Sequence, residues 1–134
     1  MANDYDPTEV FVIVDGHIVT GFAEGSMISA ERLEDKVELD TGAQGEQTFV
    51  INANDGGEMT ITLKHNSPSL EKLKSLYNQG AKFPVNVEDQ NFDGDVGAGG
   101  SEAMISNPGA FERSDDVSDK EINLLIADYE EVFS

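Results

Sequence analysis

The chain has 134 residues, which is enough for one compact domain and too few for two, so residues 1–134 are expected to form a single domain. Asp and Glu number 27 against 8 Lys and Arg, and the formal charge of −19 disfavours binding to nucleic acid or anionic lipid because like charges repel. The absence of cysteine excludes disulfides, thiolate nucleophiles and cysteine-ligated metals.

The N-terminal residues, "MANDYDPTEV", lack the basic and apolar regions of a signal peptide, and no apolar run approaches the ~18 residues of a membrane span. We therefore expect synthesis in a cytoplasm and no membrane insertion. The next segment, Glu9 to Val14, is rich in β-branched and aromatic residues and is followed by Asp15, Gly16 and a second apolar run. Asp-Gly tolerates the positive φ angles of a two-residue turn, so this pattern predicts a β-hairpin.

A longer hairpin is predicted over residues 27–53. Two extended segments, Met27 to Leu39 and Gln47 to Ala53, flank the glycine-containing tip "DTGAQGE". In the first segment the apolar positions change parity near Glu31 and Arg32, which indicates either a β-bulge or a strand that leaves its own core for a neighbouring subunit. In the second case the polar residues of the strand lie on its other side: Arg32, Glu34, Lys36 and Glu38. Because the unpaired edges of a two-stranded arm attract other chains, the arm indicates self-assembly.

A strand and a helix follow a predicted turn at Asn54 to Gly57. The stretch "EMTITLKH" alternates between apolar and polar residues, which predicts a strand with one buried face. One helix is predicted over residues 68–79, since Ser67 suits its cap, Pro68 its first position and Gly80 its end. The apolar residues of this helix form one stripe: Leu70, Leu73, Leu76 and Tyr77. Such a stripe is typical of core packing on a sheet rather than of cofactor binding.

The acidic stretch "DQNFDGDVGAGG", from Asp89 to Gly100, lies between two strand-like segments, "FPVNVED" and "SEAMIS". Four of its residues match positions of an EF-hand calcium loop: Asp89, Asn91, Asp93 and Gly94. Position twelve of that loop is Gly100, which offers no side-chain ligand, and an EF-hand requires flanking helices. The stretch is therefore predicted to be an acidic connecting loop, and no metal site is expected.

The C-terminal segment fits two patterns. Its apolar residues match a helical period: Ile122, Leu125, Ile126, Tyr129 and Phe133. Ser118 with Glu121 would form a capping box, yet "EINLLIADY" is also typical of a buried strand. The pattern by itself favours a helix.

No residue pattern is typical of an enzyme. His17 lies beside a hairpin turn and His65 ends a strand, and neither belongs to a motif of nucleophile and base. The glycine-rich "GDVGAGG" lacks the Lys-Ser/Thr ending of a phosphate-binding loop, and the acids beside it repel phosphate. We therefore expect no enzymatic activity and no cofactor.

The long hairpin and its surroundings resemble a known family. The run from Tyr5 to Glu46, with its core "GFAEGSMISAERLED" and its tip "GAQGE", followed by "MTITLKHNSPSLEKL", is similar to the tail tube proteins of contractile-tailed bacteriophages. The likeness covers Tyr5 to Leu76 and continues more loosely through "PVNVED", "AMISNP" and the last segment. The stretch Asp89 to Gly100 departs from the family in being longer and more acidic.

This resemblance implies a mainly β fold, a small β-sandwich or barrel with one flanking α-helix and a long β-hairpin, and it implies a strand for the last segment. Members of the family form hexameric rings that stack into a tube. The hairpin supplies two of the four strands that each subunit adds to a barrel around the lumen, and a closed barrel has no exposed edge. The implied location is the virion tail, assembled in the host cytoplasm, with sheath, tape-measure, baseplate and tail terminator proteins as partners.

The resemblance also implies roles within the hairpin. The residues expected to line the lumen are Arg32, Glu34, Lys36, Glu38 and Thr48. The tip would reach the adjacent ring through Asp40, Thr41, Gly42, Ala43, Gln44, Gly45 and Glu46. DNA would pass an acidic lumen without specific binding, because carboxylates repel its phosphates. This repulsion decays within about 8 Å at physiological ionic strength, so it acts at the wall and not at long range. Alternatively, the acidity would serve only the solubility of the protein.

Other functions remain open on the sequence. A secretion-system or tailocin-like tube protein would share the architecture. A calcium-dependent acidic binding module would be a monomer stabilised by calcium. A DNA-mimic inhibitor would copurify with a basic nucleic-acid-binding protein. The last two leave the long hairpin unexplained.

Overall fold

Within the residues that the structure describes, the chain forms an antiparallel sheet of eight strands. The computed structural model describes residues 9–23, 28–91, 96–109 and 119–132. The elements in these ranges are β1 (Val10–Val14), β2 (His17–Ile18), β3 (Ile28–Arg32), β4 (Val37–Thr41), β5 (Gln47–Ile51), β6 (Gly57–Lys64), α1 (Ser69–Gln79), β7 (Phe83–Asp89), β8 (Gly97–Asn107), β9 (Asp119–Ile126) and β10 (Glu130–Val132). The main sheet has the order β2-β1-β7-β8-β9-β6-β3, with β10 also paired to β8, while β4 and β5 form a sheet of their own.

One shared core shows that the main sheet curls. Strands β1 and β6 are separated in the sheet by three others, yet Val12 of β1 and Ile61 of β6 belong to the same buried cluster. Helix α1 adds Leu73 and Leu76 to that cluster from the flank. The fold is therefore the mainly β sandwich or barrel with one flanking helix that the resemblance implied.

The predicted hairpin at the start of the chain is confirmed. Strand β1 pairs with the short β2, with Val14 opposite His17. The two turn residues between them have positive φ angles, 51° at Asp15 and 77° at Gly16, as the Asp-Gly pair predicted.

The predicted alternation is also confirmed in β6, which lies between β3 and β9. Met59, Ile61 and Leu63 are fully buried, and Lys64 at the end of the strand is exposed. Thr62 is the exception on the polar face, because it is buried as well.

The helix begins one residue later than predicted, at Ser69, and its chain exits through Gly80 with a left-handed φ of 59°. The Oγ atom of Ser67 accepts a hydrogen bond from the Ser69 N–H at 3.2 Å, so Ser67 does help to satisfy the first turn. Leu73 and Leu76 are buried as predicted, whereas Tyr77 is 43% exposed. The prediction of Tyr77 as a core residue was wrong: it lies at the outer margin of the helix face that packs inward.

The predicted loop from Asp89 to Gly100 is wrong at its end, since Gly97 to Gly100 form the first part of β8. A Cβ atom on Gly97 would overlap the carbonyl oxygen of Val87 on β7. Glycine is therefore needed here for two strands to approach closely, and not for a turn. Asp89 itself ends β7, and its carboxylate accepts a hydrogen bond from the Asn91 N–H at 3.0 Å.

The C-terminal segment consists of strands, so the helix favoured by the residue pattern was wrong and the strand implied by the family resemblance was right. Strand β9 lies between β6 and β8. Its buried residues follow a period of two, with Ile122, Leu124 and Ile126 inside and Leu125 exposed. Ser118, half of the proposed capping box, lies outside the described residues.

A carboxylate fixes the turn that joins β9 to β10. Asp128 accepts hydrogen bonds from the backbone N–H groups of Ser101 (3.0 Å) and Glu102 (3.1 Å) and from the Ser101 hydroxyl. The hydroxyl contributes most, and together these bonds hold the pKa of Asp128 below its ordinary value of 3.8.

Candidate functional site

The hairpin formed by β4 and β5 stands apart from the main sheet. Strand β3 ends at Arg32, residues 33–36 form a linker, and β4 begins at Val37. The chain therefore leaves its own core at Arg32, and this departure accounts for the parity change without a β-bulge. At the tip, the Gly42 N–H donates to the Glu46 carbonyl oxygen at 2.7 Å. In the described part of the chain, no further strand pairs with either outer edge of this hairpin.

One face of the hairpin is apolar and exposed. Residues directly opposite each other in an antiparallel pair share a face, and Val37 lies opposite Ile51 and Leu39 opposite Phe49. Their exposed fractions are 48% for Val37, 61% for Leu39, 73% for Phe49 and 70% for Ile51. We call these four residues the apolar face. Contiguous exposed apolar side chains of this size are typical of a protein–protein interface.

The opposite face of the hairpin is predominantly polar. Glu38 lies opposite Val50, and Asp40 lies opposite Thr48. We call these four residues the polar face. Two of the predicted lumen residues, Glu38 and Thr48, thus share one face, and Asp40, which was predicted to reach the adjacent ring, lies beside them.

An ion cluster lies at the base of the hairpin. The Lys36 ammonium donates to the Asp55 carboxylate at 3.0 Å, and an Arg32 guanidinium nitrogen lies 3.6 Å from the same oxygen. Arg32 also donates to the carbonyl oxygens of Asn54 at 2.8 Å and Glu34 at 3.1 Å. The hydrogen bond and the charge of Lys36, with a smaller contribution from Arg32, lower the pKa of Asp55.

The remaining predicted residues fall into two places. Glu34 lies in the linker, and its carboxylate accepts a hydrogen bond from the Asn52 side-chain amide at 2.6 Å. The residues predicted to reach the adjacent ring occupy the far end: Asp40 and Thr41 end β4, and Gly42, Ala43, Gln44, Gly45 and Glu46 form the tip. Arg32, Glu34 and Lys36 are therefore gathered at the base, while Glu38 and Thr48 lie on the hairpin itself.

Sequence reasoning missed Asp55 and did not assign Phe49 and Ile51 to an interface. The alternation within "QTFVI" carried a signal for the latter two, because Phe49 and Ile51 are spaced like Val37 and Leu39 on the facing strand. Nothing local marks Asp55, since its cationic partners are brought to it by the fold.

Within the four described ranges, no group of three or more His, Cys, Asp or Glu residues could hold a metal ion. Asp93 and Gly94 of the calcium-loop pattern lie outside those ranges. No helix in the same ranges is long and apolar enough to cross a membrane.

Comparison with known proteins assigns the family. The model of the bacteriophage PhiTE tail tube protein matches residues 11–123. The chain belongs to this tail tube family. It is also 35% identical over 79 residues to the structural protein ORF10 of Pseudomonas phage KPP10, a match that covers 54% of this chain and 46% of the relative. The chain thus spans less than half the length of that relative.

Solved structures of similar fold come from tubular assemblies and particles. A virion of a native gene transfer agent contains a chain with a TM-score of 0.67 at 12% identity, covering 97% of this chain and 100% of that one. A sheath–tube complex of an extracellular contractile injection system (PVC) in its extended state contains another, with a TM-score of 0.62 at 13% identity and coverages of 96% and 91%. At such low identity these likenesses concern the fold alone.

Proposed function

We propose that this chain assembles into hexameric rings that stack into the tube of a phage tail, and that the tube conducts viral DNA into the host. The observation that carries the proposal is the amphipathic hairpin of β4 and β5, whose apolar face is exposed and whose outer edges have no partner among the described strands. A two-stranded hairpin is marginally stable in water. Neighbouring subunits would stabilise it by pairing with its edges and by covering its apolar face. We therefore place the hairpin at the contact between subunits.

The two faces of the hairpin then have different neighbours. The apolar face packs on protein, because burying its side chains removes apolar surface from water. The polar face, with Glu38 and Asp40, is left to border the lumen, where carboxylates repel the phosphates of passing DNA. The tip extends beyond the strands towards the adjacent ring.

The surroundings of this tube would be those of a contractile tail: a sheath outside it, a tape-measure protein within it during assembly, and a baseplate and a tail terminator at its ends. One chain of the same fold comes from a solved sheath–tube complex. Location in the virion tail, after assembly in the host cytoplasm, follows from this role.

Charge reversal at Glu38 tests the lumen assignment. Replacing Glu38 with Lys changes the charge by about +2 per subunit and about +12 per ring of six, and added cations on a channel wall release counterions from DNA. Tubes of the variant should retain DNA, and more strongly as the salt concentration falls. Glu71→Lys on the exposed face of α1 makes the same change in net charge away from the hairpin and should not retain DNA. Equal behaviour of the two variants would place Glu38 away from the lumen.

A tube that delivers another cargo is the second candidate, because the fold also occurs in an extracellular contractile injection system. The two functions differ in what fills the particle. Purified particles that contain this chain and package DNA support the phage tail, and particles free of DNA that carry protein support an injection system.

A further inference from the structure

A single carboxylate bridges the two ends of the linker at the base of the hairpin. Arg32 ends β3, and Lys36 immediately precedes β4. The Oδ1 atom of Asp55 lies 3.6 Å from an Arg32 guanidinium nitrogen and 3.0 Å from the Lys36 ammonium. Two of the 8 Lys and Arg residues in a chain with 27 acids thus converge on one aspartate.

The backbone around Asp55 is anchored to the main sheet. The Asp55 carbonyl oxygen accepts a hydrogen bond from the N–H of Tyr129, a buried residue, at 3.0 Å. The next carbonyl, that of Gly56, accepts a bond from the Leu33 N–H, also at 3.0 Å. Asp55 therefore has a fixed main chain on the side of the main sheet and a side chain that holds the linker.

The direction of the hairpin depends on this anchoring. Within the described residues, β4 and β5 pair with each other and with no strand of the main sheet. The connection consists of residues 33–36 on one side and 52–56 on the other, tied together at the first rung by the Asn52 N–H and the Lys36 carbonyl oxygen at 2.8 Å. Two side-chain contacts add to this rung: Asn52 donates to the Glu34 carboxylate at 2.6 Å, and Arg32 donates to the Asn54 carbonyl oxygen at 2.8 Å. The Asp55 carboxylate contacts both ends of the first linker, and without it the two linkers form a looser hinge.

We propose that Asp55 is a positioning residue that closes this hinge, fixing the direction in which the hairpin leaves the main sheet. The fixed direction presents the apolar face to the neighbouring subunit at the angle that ring closure requires. This second step rests on the proposed function, whereas the first does not. A subunit without the Asp55 carboxylate still folds, but its hairpin samples more directions, and ordering it on assembly costs entropy.

Hydrogen exchange of Asp55→Asn in dilute, unassembled protein tests the first step. The amides of Leu33 and Asn52, at the base of the hairpin, should exchange about two- to fivefold faster than in the wild type, because exposed ion pairs contribute at most about 1 kcal/mol. The amide of Gly42, at the tip of the same hairpin, should be unchanged. Raising the salt to about 1 M, where the screening length is about 3 Å, should accelerate the base amides of the wild type and leave those of the variant unaffected.

Two matched variants separate positioning from a general effect of charge. Asp15→Asn removes the carboxylate of the Asp15–Lys72 pair, whose atoms lie 3.2 Å apart, and should leave the base amides unchanged. Asp55→Glu keeps the carboxylate and should restore part of the protection. If Asp55→Asn exchanges like the wild type at Leu33 and Asn52, the hinge role of Asp55 is wrong whatever its assembly.

Assembly tests the second step and separates it from the proposed function. Asp55→Asn should need a higher protein concentration than the wild type or Asp15→Asn to form rings. Faster hydrogen exchange of the Leu33 and Asn52 amides with unchanged assembly would overturn the link between the direction of the hairpin and ring closure. If these amides exchange faster in Asp55→Asn and the wild type forms no rings, the hinge role of Asp55 stands and the proposed function is refuted.

Discussion

Replacing Phe49 with Ser should abolish tube assembly while leaving the subunit folded. Phe49 is 73% exposed, and a Phe side chain buries about 200 Å² when fully covered, so a neighbour can cover roughly 150 Å². At about 25 cal/mol per Å² this is worth roughly 4 kcal/mol per contact, or several hundredfold in the association constant. The folded subunit loses little, because an exposed strand substitution changes the free energy of unfolding by about 1 kcal/mol or less.

The assay combines thermal unfolding of the dilute subunit with sedimentation and electron microscopy at concentrations where the wild type assembles. Val50→Ser is the matched control, since Val50 is the next residue on the same strand but lies on the polar face. It should assemble like the wild type. Tubes of Phe49→Ser at wild-type concentrations would show that Phe49 is not an interface residue. A dilute Phe49→Ser subunit that unfolds far below the wild type would make Phe49 a core residue instead.

Three further predictions concern the rest of the chain. Gly57→Ala should lower the Tm by several degrees, because the added Cβ would overlap the ring of buried Tyr129 and overpacking costs about 1–3 kcal/mol; an unchanged Tm would contradict this packing. Asp128→Ala should unfold at a lower temperature than the wild type at pH 7. Since the folded-state pKa of Asp128 lies below 3.8, its stabilisation is present above that pH and lost as the pH falls through the folded pKa, so the difference in Tm should shrink there; a gap independent of pH would show that the carboxylate charge is irrelevant. Calorimetry should detect no stoichiometric micromolar calcium binding, because Gly100 offers no ligand at position twelve, and a tight one-site isotherm lost in Asp93→Ala would overturn that expectation.

The elements that sequence predicts well are those whose determinants are local. The turn at Asp15 and Gly16 needs only positive φ angles, and α1 needs only a start near Ser67, a stop at Gly80 and one apolar stripe. The alternation of β6 is equally local. In each case the residues that specify the element lie within it.

The elements that it misses are decided by partners distant in the chain. Ile122 and Ile126 of β9 fit a helix and a strand alike, and pairing with β6 and β8 on either side decides for the strand. Gly97 is typical of a loop until β7 is placed against it. The family resemblance implied the strand correctly, because it depends on the whole fold and not on the residues of one segment.

The candidate site divides in the same way. The hairpin and its tip follow from residues 37–51, where alternation and glycine specify two strands and a turn. The positions of its charged residues do not follow from the sequence. Arg32 and Lys36 alternate like residues on one side of a strand, and only the fold brings Asp55 beside them. The residues of the apolar face were visible as apolar, but their exposure depends on β4 and β5 standing apart from the main sheet.

A cryo-electron microscopy reconstruction of the assembled protein tests the central claim most directly. We expect rings of six subunits stacked into a tube, with the β4–β5 hairpins side by side around the channel, Glu38 facing the channel and Phe49 buried against the neighbouring subunit. A reconstruction in which the hairpins lie on the outer surface, or in which Phe49 faces solvent and the rings close through other elements, would contradict it.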